Sequence, residues 1–360
     1  MTTRRCRSTA PRAYRHNRDV HRGTNFAIVA TVALLAATSA ACTREPVLPA
    51  RPSSSPASSA ASHSPADPPR PRRTTTARST PAPPARANRP PTGRAPTRQA
   101  ELPRGGRRIL PAYRVVAYYG APGGGQLGVL GIGTPDQAAA AVARQAAAYA
   151  RYGRRIQPAM ELIATVAQAR PGPDGLYSAP IPDAAIASYL AAAHRHRLLL
   201  ILDFQPGRAE FLPQVEADEQ FLLDPSVSVA LDPEWHVGPT QVPAKVVGSA
   251  SASSINAVAG YLSRLVARRH LPEKLLVVHQ FTSSMLPDRD DIVRPNGLEV
   301  VLHADGLAAP AEKIHVYNQL AFPAPPFHAG FKLFYQADTG LMTPAQVMAL
   351  NPQPEVVTYE

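Results

Sequence analysis

Cysteine is almost absent from the 360-residue chain, which holds two, Cys6 and Cys42, and none after position 42. Residues 43–360 therefore contain no disulfide, no thiolate metal site and no cysteine nucleophile. Tryptophan occurs once, at Trp235. HExxH, G-x-S-x-G and GxxxxGK[ST] are all missing, which removes zincin metalloproteases, α/β-hydrolases and P-loop NTPases. The glycines at 123–125, 128, 131 and 133 lack the spacing of a dinucleotide fingerprint and read as a flexible rim. A basic folded surface is missing as well. The net charge of +12 arises ahead of residue 109, where 20 Arg face four acids, whereas residues 109–360 carry 18 bases and 22 acids. No nucleic-acid partner is expected from that distribution.

The first 108 residues divide into a leader and a spacer. Residues 1–25 are polar and Arg-rich, and residues 26–41, FAIVATVALLAATSAA, are uncharged and mostly apolar. Sixteen residues are short for a membrane-spanning helix, which needs about 20, and they end in small residues, the pattern of an export signal. Ser39-Ala40-Ala41-Cys42 resembles the lipobox of bacterial lipoproteins, with Ser39 where Leu is usual. The resemblance implies a signal peptide over 1–41, cleavage before Cys42, lipidation of Cys42 and attachment to a lipid membrane from the outside. Ordinary secretory cleavage is the alternative. Residues 43–108 contain 15 Pro and only Val47, Leu48 and Leu102 as large aliphatics. Such a segment buries too little to offset its ordering entropy, so a disordered linker is expected.

Residues 109–360 alternate short β-rich runs with helical patterns, the signature of βα units around a parallel sheet. The expected strands are 114–119, 159–167, 198–203, 227–232, 275–280, 298–303, 331–336 and 355–359; the expected helices are 135–152, 183–196, 254–270, 311–320 and 343–350. Eight strands in 252 residues match an α/β protein of the (β/α)8 TIM-type barrel class, whose usual length is about 250 residues. An open doubly wound sheet is the rival.

In a barrel, polar residues at strand ends face a common mouth. The sharpest such feature is Ala-Leu-Asp232-Pro-Glu234-Trp235 at the end of the fourth strand. Residues two apart on a strand project to one side, unless Pro233 ends the strand first. Paired carboxylates raise each other's proton affinity and leave one protonated as a general acid, the arrangement glycosidic cleavage needs. Glu234, Asp232 and Asp203 are the candidate catalytic residues. Trp235, Tyr118, His279, Gln280, His303, Tyr335 and Gln336 are the candidate substrate contacts. No cofactor is expected. His279 and His303 with Asp203 or Asp232 offer metal-ligand chemistry, but no HxH pair supports it, so no metal is expected.

The Asp-x-Glu after the fourth strand resembles the glycoside hydrolase barrels of the chitinase and family 25 lysozyme type. By that resemblance Glu234 is the acid and Asp232 assists the substrate's N-acetyl group, while the earlier acids of the chitinase motif are replaced by Val227 and Ala230. The function expected is an exported, membrane-anchored hydrolase of cell-wall or extracellular polysaccharide, with peptidoglycan among its possible partners. The alternative is a non-catalytic lipoprotein that binds a glycan or other ligand at the barrel mouth.

Overall fold

A computed structural model describes residues 99–321 and 327–360. The signal segment 1–41, Cys42 and the linker up to residue 98 lie outside the described residues. Nine segments, most of them rich in Val, Leu and Ile, form strands among the described residues: β1 (Tyr113–Gly120), β2 (Arg155–Ala167), β3 (Ser178–Pro180, without any of the three), β4 (Leu199–Phe204), β5 (Val227–Leu231), β6 (Lys274–Gln280), β7 (Leu298–Ala304), β8 (His328–Leu333) and β9 (Val356–Tyr359). All but β3 pair in parallel, and β1 bonds to both β2 and β9, so eight strands close into a (β/α)8 barrel rather than an open sheet. The short β3 lies antiparallel along the far end of β2.

Helices form where start signals precede an apolar stripe. In α1 (Pro135–Ala147) Thr134 and Gln137 make a reciprocal capping box, with Pro135 in the first turn. Ser251 caps α5 (Ala252–Arg269), and Thr343 with Gln346 caps α7 (Pro344–Met348). The helix α2 (Asp183–His196) ends at Arg197 and α5 at His270, both in the left-handed conformation. Between β4 and β5 lie two short helices that the sequence pattern did not signal, α3 (Phe211–Ala217) and α4 (Glu219–Leu222). Between β7 and β8 lies α6 (Pro310–Ala321). The β6 to β7 connection contains only two 3-10 turns among its described residues.

Alternation along each strand builds two concentric shells. Val115, Ala117, Ala159, Ile201, Ala230, Val277, Val301 and Val356 point inward and fill the lower barrel. The residues between them, including Met160, Leu162, Leu200, Val229 and Val278, point outward against Val142, Ile186, Leu262 and Leu265 of the helices. Each fully buried Leu or Ile is worth roughly 1.5–3 kcal/mol relative to exposure. Leu102, Ile109 and Leu110 join the inner shell from below. Arg107 ties this segment down by donating to the carbonyls of Ala100, His270 and Leu271, and the Ile109 N–H donates to Glu273. Residues 99–108, assigned to the linker on composition, thus belong to the folded unit. A single large apolar residue, Leu102, carries burial that average composition hides.

Lys274, which is buried, and the half-buried His328 sit toward the lower end. Lys274 donates from Nζ to the Val227 and Asp224 carbonyls, 2.6 and 3.0 Å away, and burial drives its pKa down to about 7. His328 lies between Glu299 and Glu355. Burial opposes its charge, but the two carboxylates outweigh that and raise its pKa to about 9. A raised histidine stabilises the fold fully below its unfolded value near 6.5 and loses that contribution as pH climbs through about 9. The depressed Lys274 acts with the opposite sign, so wild type alone does not isolate either group. Replacement His328→Gln is expected to remove about 3 kcal/mol of stability at pH 6, with the gap to wild type closing as pH rises past 9. Urea unfolding of both proteins from pH 6 to 10 checks this; a gap that stays constant would contradict it.

Candidate functional site

The upper inward positions change from apolar to charged. Tyr119 on β1, Glu161 on β2, Asp203 on β4, His279 on β6, His303 on β7, Lys332 on β8 and Thr358 on β9 are all buried, and Asp305 and Glu360 follow directly after their strands. These side chains satisfy one another. His279 bonds through Nε2 to Glu161 Oε1 at 2.9 Å and through Nδ1 to Asp305 Oδ2 at 3.2 Å. Lys332 Nζ bridges Asp305 Oδ2 at 3.3 Å and Glu360 Oε2 at 2.8 Å, and lies 3.6 Å from the centroid of the Tyr119 ring. Thr358 donates its hydroxyl to Glu161 Oε2 at 3.0 Å. It therefore accepts from His303 Nε2 at 3.1 Å, which leaves His303 Nδ1 as a buried acceptor with no protein partner. Tyr119 donates to Asp203 Oδ2 at 3.0 Å and accepts from Gln205, and Asp203 Oδ1 is likewise unpartnered.

Protonation follows from these contacts. Burial disfavours charge on His279, yet its bonds to Asp305 and Glu161 hold it well above the ordinary imidazole value. The resulting cation, together with burial, pushes neighbouring His303 down to about 3, so His303 is neutral. Burial would also raise Glu161 and Asp305. His279 overcomes it at Glu161, and Lys332 with His279 overcomes it at Asp305, so both stay ionised. Asp203 has burial and the charge of Asp232 against it and is pushed well up. The His303 ring fits because the facing residue is Gly330: a Cβ there would lie 2.3 Å from His303 Cδ2.

Glu234 and Asp232 meet at the mouth by a different route from the one expected. Pro233 does end the strand: β5 stops at Leu231, Asp232 becomes the cap of a 3-10 turn over Pro233–Trp235, and its Oδ1 accepts the Glu234 N–H at 3.3 Å. The pair is thus set by a turn rather than by alternate strand positions. The turn is pinned from two sides. Gly248 N–H donates to the Glu234 carbonyl at 2.7 Å, and Val237 N–H to that of Gly207 at 2.8 Å. Gly248 is needed for this approach, since a Cβ there would come within 2.3–2.6 Å of the carbonyl oxygens of His236, Glu234 and Pro233. Burial raises Asp232 to about 6 against the pull of His279 and Lys332. Burial, then the charges of Asp232 and Asp305, raises Glu234 to about 8. Trp235 is half-buried in the same turn.

Four expected substrate contacts lie elsewhere. Tyr118 and Gln280 are one position out of phase with the inward Tyr119 and His279. Tyr118 faces the outer shell, its ring edge-on to Tyr335 and Tyr359, and Gln280 bonds to the Thr282 carbonyl and to Arg289 in the following loop. Tyr335 and Gln336 are exposed beyond β8, which ends at Leu333 rather than 336. Asp338, paired with Lys313 at 3.0 Å, accepts the Phe334 N–H at 3.0 Å and turns the chain there. Tyr335 donates to Gln145 of α1 at 3.1 Å, outside the barrel. The residues missed are Glu161, Lys332 and Thr358. A lone charge inside an apolar run, as in AMELIATVA or FKLFY, was the available signal, because such a group must be paired when the run is buried. β2 hides it by running six residues beyond Glu161 to Ala167, with a register shift against β4 at Ile163 and Thr165.

No protein-family model matches this chain, and no curated protein matches it. The function is therefore read from the side chains. Lys332 is the test of the network's coherence. Replacement Lys332→Met takes the ammonium from Glu360 and leaves Asp305 with His279 alone, and is expected to cost about 3–5 kcal/mol at pH 7. Asp305 sits below its ordinary value, so its contribution is present above pH 4 and is lost as pH falls further; the deficit of the variant should narrow below pH 4. Chemical unfolding at pH 7 and pH 3.5 measures both.

Proposed function

We propose that the barrel hydrolyses a glycosidic bond in a polysaccharide, with Glu234 as proton donor and Asp232 as the anionic partner. The observation that carries this reading is the turn at the barrel mouth in which Asp232 Oδ1 accepts the Glu234 N–H at 3.3 Å; there burial and the charge of Asp232 push Glu234 up to about 8, toward the protonated form, while His279 and Lys332 hold Asp232 lower. An acid and an anion side by side at a barrel mouth are what cleavage through an oxocarbenium-like transition state uses. Glu234 gives its proton to the leaving oxygen as the C1–O bond breaks. Asp232 faces the positive charge that develops on the ring, directly or by orienting an N-acetyl group as the resemblance implies. Water then adds to C1 and surrenders a proton to the glutamate, restoring the starting state. Asp203, level with Ala230 and thus one inward step below Asp232, supports the pair from beneath. Trp235 offers the aromatic face on which a sugar ring stacks.

The leader and the Pro-rich spacer support a setting outside the cell: an export signal, acylation of Cys42, and a tether that lets the barrel reach wall polymer such as peptidoglycan. Replacement Cys42→Ala is then expected to move the protein from membranes to the medium and abolish fatty-acid labelling.

Incubation with peptidoglycan and a panel of polysaccharides, followed by mass analysis of released fragments, tests the activity. Glu234→Gln should lower turnover by roughly 10²–10⁴-fold, the usual weight of a general acid, with an unchanged circular dichroism spectrum. The wild-type pH profile should be bell-shaped, rising through about 6 as Asp232 ionises and falling through about 8 as Glu234 loses its proton. Glycan binding without fragment release would favour the ligand-binding alternative instead.

A further inference from the structure

Beneath the carboxylate pair, three potential ligand atoms from Glu161, Asp203 and His279 lie within 4.8 Å of one another. We infer that these residues form a binding site for a divalent first-row transition-metal ion.

Three independent features of the geometry support it. The first is spacing. His279 Nε2 lies 2.9 Å from Glu161 Oε1 and 3.8 Å from Asp203 Oδ1. A cation bound about 2.1 Å from each ligand separates neighbouring ligand atoms by roughly 3.0 Å at 90° and about 3.8 Å near 130°, so both spacings fit around one ion. The second is an orphan. Asp203 Oδ1 is fully buried, has no hydrogen-bond partner and points toward His279. A bare carboxylate oxygen in the interior is costly, and a cation removes that cost. The third is the outer shell. Each residue is held through the atom that the ion would not use: Thr358 grips Glu161 Oε2, Tyr119 grips Asp203 Oδ2, and Asp305 grips His279 Nδ1. A carboxylate on the far nitrogen of a histidine, with hydroxyls on the far oxygens of the acids, is the second-shell pattern that orients metal ligands.

Charge points the same way. Glu161, Asp305 and Glu360 ring this end of the barrel, and among the described residues His279 and Lys332 are the cations bonded to them. One imidazole with two carboxylates suits Mn²⁺, Fe²⁺, Co²⁺ or Zn²⁺ better than an all-oxygen Ca²⁺ or Mg²⁺ site. Without the ion, the Nε2 hydrogen bond to Glu161 closes the cluster; with it, the ion takes the place of that proton.

This inference does not depend on the hydrolase reading, and its test needs no substrate. The full chain is stripped with a chelator, exchanged into metal-free buffer and titrated with Co²⁺. One equivalent is expected to bind, with d–d absorption bands and a raised unfolding temperature. Asp203→Asn and His279→Gln should each weaken Co²⁺ binding at least ~100-fold. Asp305→Asn and Thr358→Val keep all three ligands and should weaken it about 10–100-fold through lost orientation; they stand in if the ligand variants fail to fold. Substoichiometric binding by the folded wild type would overturn the inference. So would an affinity that none of these substitutions changes, or a near-ultraviolet cobalt–thiolate band, which would place the ion on Cys6 or Cys42.

Discussion

His279, held by a carboxylate at each ring nitrogen, is the contact on which the upper half of the barrel depends. Closing eight parallel strands forces every second side chain toward one axis, and near the C-terminal ends those side chains are ionisable. Acids gathered in a closed space repel one another and resist burial. The imidazolium between Glu161 and Asp305 lets two of them remain ionised, and Lys332 between Asp305 and Glu360 completes the compensation. His303 is kept neutral by burial first and by its positive neighbour second, with its hydrogen bond directed at Thr358. One buried cation thus sets the protonation of most of the layer around it.

The consequence for Asp232 and Glu234 is asymmetry. Asp232 is buried and Glu234 half-buried, and the two acids are pulled apart because Asp232 lies under the strong influence of His279. Glu234, one turn further out, feels Asp232 and Asp305 more than it feels Lys332, the one cation among its stronger influences. Two like residues acquire unlike roles from their surroundings alone, the condition for acid and anion to coexist at one pH. The 3-10 turn makes this possible by setting Glu234 off the strand, and Gly248 fixes the turn by allowing backbone to meet backbone.

Much of the fold was legible because periodicity is a property of the sequence itself. The continuous apolar runs announced strands covered on both faces, and α2 was placed residue for residue at 183–196, since its apolar stripe ends where Arg197 and Leu198 leave the helical pattern. The failures came where tertiary contacts override pattern. FKLFYQ reads as one strand, but Asp338 and Lys313, brought together only by folding, stop it at Leu333. A strand misplaced by three residues turns its side chains over, which is why Lys332 escaped notice while Tyr335 and Gln336 were expected at the mouth. Tyr118 and Gln280 show the same parity problem at the scale of one residue. Asp232 and Glu234 were found because they stand at a strand end beside a proline, a local feature. Glu161 was not, because its importance lies in what the neighbouring strands bring to it.

A site of this kind is expensive in stability, and the architecture separates the expense from what offsets it. Lower in the barrel, an apolar inner cluster from Val115 to Val356 is closed by Leu102, Ile109 and Leu110, a second apolar cluster packs the strands against the helices, and the buried Arg114, Gln157, Lys274 and Glu299 lie at that same end. Lys274, Arg114 and the half-buried His328 are matched locally by carbonyls and carboxylates at their own end. Substitutions in the upper layer can therefore change charge and chemistry without emptying the packed shells that hold the strands in register. Among the described residues three buried acceptors lack a hydrogen-bond partner: Asp203 Oδ1 and His303 Nδ1 belong to the upper layer, and Gln157 Oε1 lies near the lower end of β2. The upper end, where two orphaned acceptors stand among buried charges at the C-terminal ends of the strands, is the end of a barrel at which ligands bind.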